Sequence, residues 1–556
     1  MTTLLKSEIE GYGSKVLSER LVAEVKSWIS DDPDPKTRAQ LQEWLDRGAT
    51  EELTECFQGF LEFGTAGLRG PLGPGPSRMN RCVVSKTAYG LSRFMSNAGL
   101  KSIVIGRDAR YGSEDFTRDT AEIMSGAGFE VFVLPRALPT PVLAFAVRKL
   151  GCDVGVMVTA SHNPPQDNGY KVYLGGTVNG IRYEGSQIIS PTDKEISAEI
   201  SAAPSLNQVP RGTTWTILSD EIVNEYIATT ARLGNSPIEL KVVYTAMHGV
   251  GTETVLKVFD RAGFTRPILV KEQAEPDPDF PTVAFPNPEE PGAIDLSLKL
   301  AREVEADLVI ANDPDADRCA AAINDGNWRM LRGDEVGALL GEYLARTCED
   351  KSAVLANSIV SSSILSKIAK SYGLPFVETL TGFKYLAKVA NLRFGYEEAL
   401  GYAVDADSVN DKDGISAALV LVQLAADLKR EGKTIAQLLN EIWKKYGFHG
   451  TRQISVRTQS ISDIDKVMGK LRNNLPTQLS QFKVTQVDDL ERPKDGLPPT
   501  NGVRIWLDEK YRVIVRPSGT EPKIKCYIEV VTNQVSEATT ILDAVEREFR
   551  ALMAVN

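Results

Sequence analysis

The chain has 556 residues and a formal net charge of −11, from 63 Lys and Arg against 74 Asp and Glu, so no general nucleic-acid or anionic-membrane surface is expected and an anionic ligand must be drawn in by local positive charge. That length leaves room for about four domains, while no apolar run approaches membrane-spanning length and residues 1–8 lack the layout of a signal peptide. Six scattered cysteines without CxxC spacing and three histidines argue against a disulfide framework, a zinc ribbon or a His-rich metal centre, and point to a reducing cytoplasm.

Residues 1–60 read as a helical extension, with helices over 21–29 and 38–45 joined by an ordinary connection, Asp31-Asp32-Pro33-Asp34-Pro35. Beyond it, strands alternate with amphipathic helices. A strand over 102–106 leads into Gly106-Arg107-Asp108-Ala109-Arg110, whose arginines suit a phosphate unless Asp108 locks one of them in place. The strand over 153–158 runs into Thr159-Ala160-Ser161-His162-Asn163-Pro164. Ser, Asn and Pro favour turns on local grounds, yet a hydroxyl placed there can also carry phosphate. The choice depends on whether the rest of the chain supplies partners for a phosphoryl group.

Further along, a strand over 241–245 precedes Met247-His248-Gly249, and one over 307–311 precedes Asp313-Pro314-Asp315-Ala316-Asp317-Arg318. Three carboxylates at alternate loop positions can converge on one small cation, and oxygen-only ligands suit magnesium. A solvated acidic turn is the other reading, but strand ends are where open α/β sheets place ligands. After a strand over 353–357 the texture changes near residues 446–450, where a hinge is expected. A half-buried strand over 451–457, a helix over 462–471, the segment 501–507 and a strand over 511–515 then lead to Arg516-Pro517-Ser518-Gly519-Thr520-Glu521-Pro522-Lys523-Ile524-Lys525. Glycine allows close backbone approach, hydroxyls and N–H groups donate, and Arg516 can grip a phosphate that is held and not transferred.

The serine, acidic and phosphate loops resemble those of the α-D-phosphohexomutase superfamily. Phe63-Gly64-Thr65-Ala66-Gly67-Leu68-Arg69-Gly70 resembles its N-terminal motif and Gly395-Tyr396-Glu397-Glu398-Ala399-Leu400-Gly401 its sugar-binding loop, all in the family's order. The fold class expected is α/β: three related α/β domains with mixed sheets around a cleft (61–217 with the 1–60 extension, 218–333 and 334–447) plus a C-terminal α+β domain over 448–556.

The resemblance implies a phosphoserine enzyme. Ser161, with Asp313, Asp315 and Asp317, would hold one Mg2+, and Arg318 would neutralise the transferring phosphate. Arg516, Ser518, Gly519, Thr520 and Lys525 would bind the distal phosphate, with Thr65 and Arg69 also on the substrate. Glu397 and Glu398 would read sugar hydroxyls. Lys384, in Thr381-Gly382-Phe383-Lys384, matches a segment given acid or base work, and Lys171 shares that candidacy with a purely phosphate-steadying role. His162 is expected to brace the serine loop or assist it, and His248 to meet the substrate. The implied reaction interconverts the 1- and 6-phosphates of glucose or mannose through a sugar 1,6-bisphosphate that turns over in the cleft, with glucose 1,6-bisphosphate as activator.

Many hexose-phosphate mutases of the superfamily have serine where Ala399 stands, and the Glu-Glu-Ala form with Asp411-Lys412-Asp413-Gly414 also resembles members that favour pentose phosphates or make glucose 1,6-bisphosphate. An aspartate-nucleophile phosphatase fits poorly, since Arg318 and Cys319 follow Asp315-Ala316-Asp317 and Ser161 goes unexplained. A non-catalytic sugar-phosphate sensor would be expected to have lost the serine or a carboxylate. The partner expected is a small sugar phosphate, not nucleic acid or membrane, for a monomer or homodimer.

Overall fold

Four sheets organise the computed structural model, which describes residues 17–65, 67–235, 238–458, 461–479, 481–494, 496–517 and 523–554. Residues 1–8 and the loop residues Ser518, Gly519 and Thr520 lie outside the described residues.

The strands carrying the loops are near-continuous apolar runs. Val154–Val158 and Leu308–Ala311 are buried at every position, as strands covered on both faces must be. In the first sheet the order is Leu68–Pro71, Asp167–Leu174, Val154–Val158, Ser102–Arg107, Glu130–Val133 and Thr216–Ile217, with the last four parallel and Asp167–Leu174 antiparallel to both of its neighbours. The second runs Ile268–Leu269, Val242–Thr245, Leu308–Ala311 in parallel, then Ala320–Asn324 and Trp328–Met330 antiparallel. The third repeats the plan with Phe376–Thr379, Val354–Ser358 and Leu392–Glu397 parallel and Gly401–Ala403 antiparallel. In each, a first central strand (Ser102–Arg107, Val242–Thr245 or Val354–Ser358) pairs in parallel with the strand that ends in the serine, acidic or sugar loop. These are the three related mixed-sheet units expected from the strand pattern.

The fourth sheet is wholly antiparallel, in the order Phe448–Arg457, Lys523–Thr532, Tyr511–Pro517, Val503–Leu507, Phe482–Asp489 and Gln478–Leu479. It has its own apolar core, to which the helices Ile461–Asn473 and Val535–Met553 give Val467, Leu471, Leu542 and Phe549. The first strand already begins at Phe448, so residues 448–450 belong to the ladder, while Gly447, at φ 90°, ends the preceding helix.

One core spans the other three domains, taking in Val104, Leu143, Val243, Ile310, Leu355 and Tyr396. The N-terminal helices Glu19–Asp31 and Pro35–Asp46, and a third over Thr50–Cys56 that the sequence pattern does not reveal, add Val25, Trp28, Leu41 and Leu53 to the first domain's second core. Asp34 caps the second helix by accepting from Lys36 N–H, with Pro35 at its first position, as an ordinary connection requires. All six cysteines are free and buried. Among the described residues no helix is long and apolar enough to cross a membrane.

Candidate active site

Where Val154–Val158 ends, the chain turns through Ser161 at φ 51°, a left-handed conformation that a residue with a β-carbon keeps only when its surroundings impose it. Its N–H donates to Thr159 Oγ1 at 2.8 Å. The Arg110 guanidinium donates to the carbonyls of Ser161 and Asn163 at 2.6 Å each, Pro164 at 2.8 Å and Asp167 at 3.2 Å. Arg110 is buried and paired with Asp108 at 3.3 Å, so it clasps the loop instead of meeting a phosphate. The Ser161 hydroxyl donates to Asp313 Oδ2 at 2.8 Å and lies 3.1 Å from His162 Nδ1. Burial first, then Arg318 and Arg69, hold the His162 imidazole well below its usual range, so it is neutral.

Asp313, Asp315 and Asp317 are fully buried, and one oxygen from each lies within 4.8 Å of the others. The loop brings them together through Ala316, at φ 55°. Asp315 Oδ2 accepts from Thr140 Oγ1 at 2.6 Å and Lys171 Nζ at 2.7 Å, and Asp317 Oδ2 from Lys171 and Lys412 at 2.9 Å each. Asp315 Oδ1 and Asp317 Oδ1 are buried without any partner. Two orphaned carboxylate oxygens beside the Ser161–Asp313 contact, with oxygen donors only, fit a hard divalent cation. Burial, then Asp315 and Asp317, push the Asp313 carboxyl up to about 8, whereas Lys171 and Lys412 overcome burial and hold Asp317 well below the usual carboxylate range. The same attraction, from Asp315 and Asp317, keeps the buried Lys171 ammonium above its ordinary value.

Lys412 is the residue that sequence reasoning passed over. It sits one position before Asp413, which caps the helix Gly414–Arg430 by accepting from Ile415 and Ser416 N–H. A β-carbon at Gly414 would lie 2.2 Å from the Arg318 carbonyl oxygen, so only glycine lets this helix abut the acidic loop and deliver Lys412 to it. The Asp411-Lys412-Asp413-Gly414 segment is therefore part of the cation site as well as a clue to sugar preference. Arg318 faces Glu289 at 3.6 Å, and Arg69 donates to Asn163 Oδ1 at 3.1 Å, which sets both guanidiniums around the serine.

From the third domain, Lys384 reaches across to the Thr65 hydroxyl of the first, and burial lowers its ammonium pKa. Glu397 Oε1 accepts from Gly382 N–H at 2.6 Å. Glu398 Oε2 accepts from Ser361 Oγ at 3.2 Å and Ser358 Oγ at 3.3 Å, and burial, then Glu397 and Asp334, push its carboxyl up to about 8. Glu398 also lines a cavity of about 290 Å³ with Glu289, Arg332, Asp334, Gln453 and Tyr527, where the second, third and fourth domains meet. Arg516 and Lys525 are cross-strand partners in the fourth sheet, and the Lys525 ammonium is disfavoured by burial and by Lys523. His248 instead sits at a seam of the first and second domains with Asp108, Arg110, Phe280 and Pro314, its Nε2 on Thr282 at 2.8 Å.

A hydroxyl that touches a cation-ready triad and is ringed by ammonium and guanidinium groups suits one class of chemistry, transfer of a phosphoryl group to and from oxygen. The chain belongs to the phosphoglucomutase/phosphomannomutase family: its alpha/beta/alpha domains I, II and III match residues 61–205, 220–326 and 332–446, and its C-terminal domain matches 472–547. A Haemophilus influenzae protein named probable phosphomannomutase is 49% identical, covering 85% of this chain and 98% of that protein. The phosphopentomutase of Mus musculus is 36% identical over 92% of this chain and 91% of its own. Among solved structures, the open form of the Paramecium pp63/parafusin phosphoglucomutase superposes with a TM-score of 0.70 at 18% identity, over 89% of this chain and 95% of that one, a likeness of fold.

Proposed function

We infer that the protein is a phosphosugar mutase that interconverts the 1- and 6-phosphates of glucose or mannose through a phosphoserine at Ser161 and a sugar 1,6-bisphosphate. The observation that carries this reading is the 2.8 Å contact of Ser161 Oγ with Asp313 beside the two unpartnered oxygens of Asp315 and Asp317. One magnesium ion on Asp313, Asp315 and Asp317 would offset the charge of the migrating phosphoryl group.

In the first half-reaction the bond from phosphorus to Ser161 Oγ breaks as one to a sugar hydroxyl forms, that hydroxyl's proton leaving to a base that passes it to the freed serine oxygen. In the second, the bond from phosphorus to the other sugar oxygen breaks as one to Ser161 Oγ forms, and the serine's proton passes back to that sugar oxygen. Lys171, on Asp315 and Asp317, and Lys412, on Asp317, are held as ammoniums and suit neutralising charge beside the phosphoryl group. Lys384, whose charge burial disfavours, and the neutral His162 suit taking the proton. Arg69 and Arg318 flank the phosphoryl group, and Arg516 and Lys525, with Ser518, Gly519 and Thr520, hold the distal phosphate. Glu397 and Glu398 read the sugar ring. Glucose 1,6-bisphosphate would act as activator by charging Ser161. His248, tied to Thr282, serves the domain seam. A reducing cytoplasm fits the six free, buried thiols.

Pentose phosphates are the second reading, favoured by Ala399 in the sugar loop and by the relative named phosphopentomutase. Rates with glucose 1-phosphate, mannose 1-phosphate and ribose 1-phosphate, each with trace glucose 1,6-bisphosphate, test the choice. The hexose phosphates are expected to turn over faster, and turnover of the pentose alone would overturn the hexose assignment.

A further inference from the structure

In the first three domains the loop after the first central strand braces the functional loop beside it. In the first, Arg110 grips the serine loop. In the second, Val250 N–H donates to the Pro314 carbonyl of the acidic loop at 2.9 Å. In the third, the turn after Val354–Ser358 does it with Ser361, whose hydroxyl accepts from Glu398 N–H at 3.0 Å and donates to Glu398 Oε2 at 3.2 Å.

Among the described residues, this third turn alone is also gripped by the fourth domain. Arg512, 5% exposed, donates to the Ser361 carbonyl and pairs with Glu529 at 3.0 Å and Glu378 at 3.2 Å. Glu529, 4% exposed, accepts from Ser362 Oγ and Ser363 N–H at 2.7 Å each. Ile359 and Val360 of the same turn pack with Leu490, Ile514 and Tyr527 of the fourth domain. Arg512 and Glu529 lie on the strands Tyr511–Pro517 and Lys523–Thr532, which also carry Arg516 and Lys525. The elements that hold the distal phosphate are thus tied to Ser361 at one end, and Ser361 is tied to the sugar reader at the other.

We propose that Ser361 is a positioning residue for sugar recognition and that the buried Arg512–Glu529 pair couples the seating of the phosphate-binding domain to the placement of Glu398. When the fourth domain docks, Arg512 and Glu529 fix the backbone of residues 361–363, and the Ser361 hydroxyl then orients the Glu398 carboxyl group toward the sugar. Binding of the distal phosphate and reading of the hydroxyls become one event, so a substrate lacking either group is bound poorly. This rests on the mutase reading above.

The test measures kcat and KM of the full-length enzyme for glucose 1-phosphate and ribose 1-phosphate. Ser361→Ala is expected to raise KM for the hexose about tenfold while kcat moves less than about threefold, narrowing the hexose-to-pentose ratio. Ser361→Thr, which keeps the hydroxyl, restores it. Glu529→Gln, which keeps the packing and removes the charge opposite Arg512, shifts KM in the same direction. The Ser361→Ala/Glu529→Gln double variant is expected to be no worse than the larger single effect, the mark of one shared linkage. If the variants lower Tm but leave both KM values within about twofold, or if their effects multiply, the coupling is wrong while the mutase reading stands. A wild-type enzyme that turns over none of these sugar phosphates overturns both.

Discussion

The two ends of the cleft are built to different standards. Around Ser161 the serine loop and the acidic triad are fixed several times over: Arg110 holds four carbonyls, Thr140 and Lys171 share one Asp315 oxygen, Lys171 and Lys412 share one Asp317 oxygen, and the three aspartates are fully buried. At the sugar and phosphate end, Glu397 and Glu398 are only partly buried, they border a cavity of about 290 Å³, and the domain bearing Arg516 has a core of its own. The difference follows from the tasks. A migrating phosphoryl group needs preorganised charge that does not relax during the step. A sugar that must turn over between its two phosphorylated ends needs readers that accept either presentation.

If the rigid end is the chemical one, its variants should lower kcat. Asp315→Ala, which removes an unpartnered oxygen and one of the two carboxylates that hold Lys171, should lower kcat by about 10³-fold or more and weaken activation by magnesium; unchanged magnesium dependence would break the comparison. Lys412→Met keeps length and volume but removes one of two ammoniums on Asp317, and a kcat loss of about 10²-fold with a smaller change in KM is expected. An effect confined to KM would place Lys412 with the readers instead.

The adjustable end should answer in KM. For Arg516→Ala an increase of about tenfold in KM for the 1-phosphate is expected with kcat little changed, measured by steady-state kinetics. The smallest effect concerns Glu398. Its carboxyl, at about 8 in the folded protein, is far above its ordinary value, so the native state keeps a proton that the unfolded state has lost at neutral pH. Its contribution to stability is complete below the unfolded pKa of about 4.3 and is lost as pH rises through about 8. Glu398→Gln should therefore flatten the fall of Tm over that window by a few degrees, and an unchanged slope in thermal melts would assign the proton elsewhere.

The sequence makes the rigid end legible because its signals are local: an apolar strand followed at once by Ser161 or by alternating aspartates places each group at a sheet edge. The strands over 102–106, 153–158 and 307–311 are found within a residue or two of their expected ends. What stays hidden depends on contacts far apart in the chain. Nothing near Lys412 says that it meets Asp317, 95 residues earlier, and nothing near Arg110 says that its guanidinium closes on the turn at 161–167. The sugar end is less legible for a further reason: a glutamate pair reads alike whether it starts a helix or binds a hydroxyl, and Ser361 carries no motif at all. The helix Thr50–Cys56 is too short for its apolar pattern to emerge.

The central claim is that Ser161 Oγ carries the phosphoryl group in transit. The most direct measurement is mass spectrometry of peptides from protein incubated with magnesium and glucose 1,6-bisphosphate, with Ser161→Ala as control. An acid-stable phosphate on Ser161, discharged on adding glucose 1-phosphate and absent from the variant, is the result this account requires. Phosphate found on Asp315 or Asp317, or full turnover by Ser161→Ala, would contradict it.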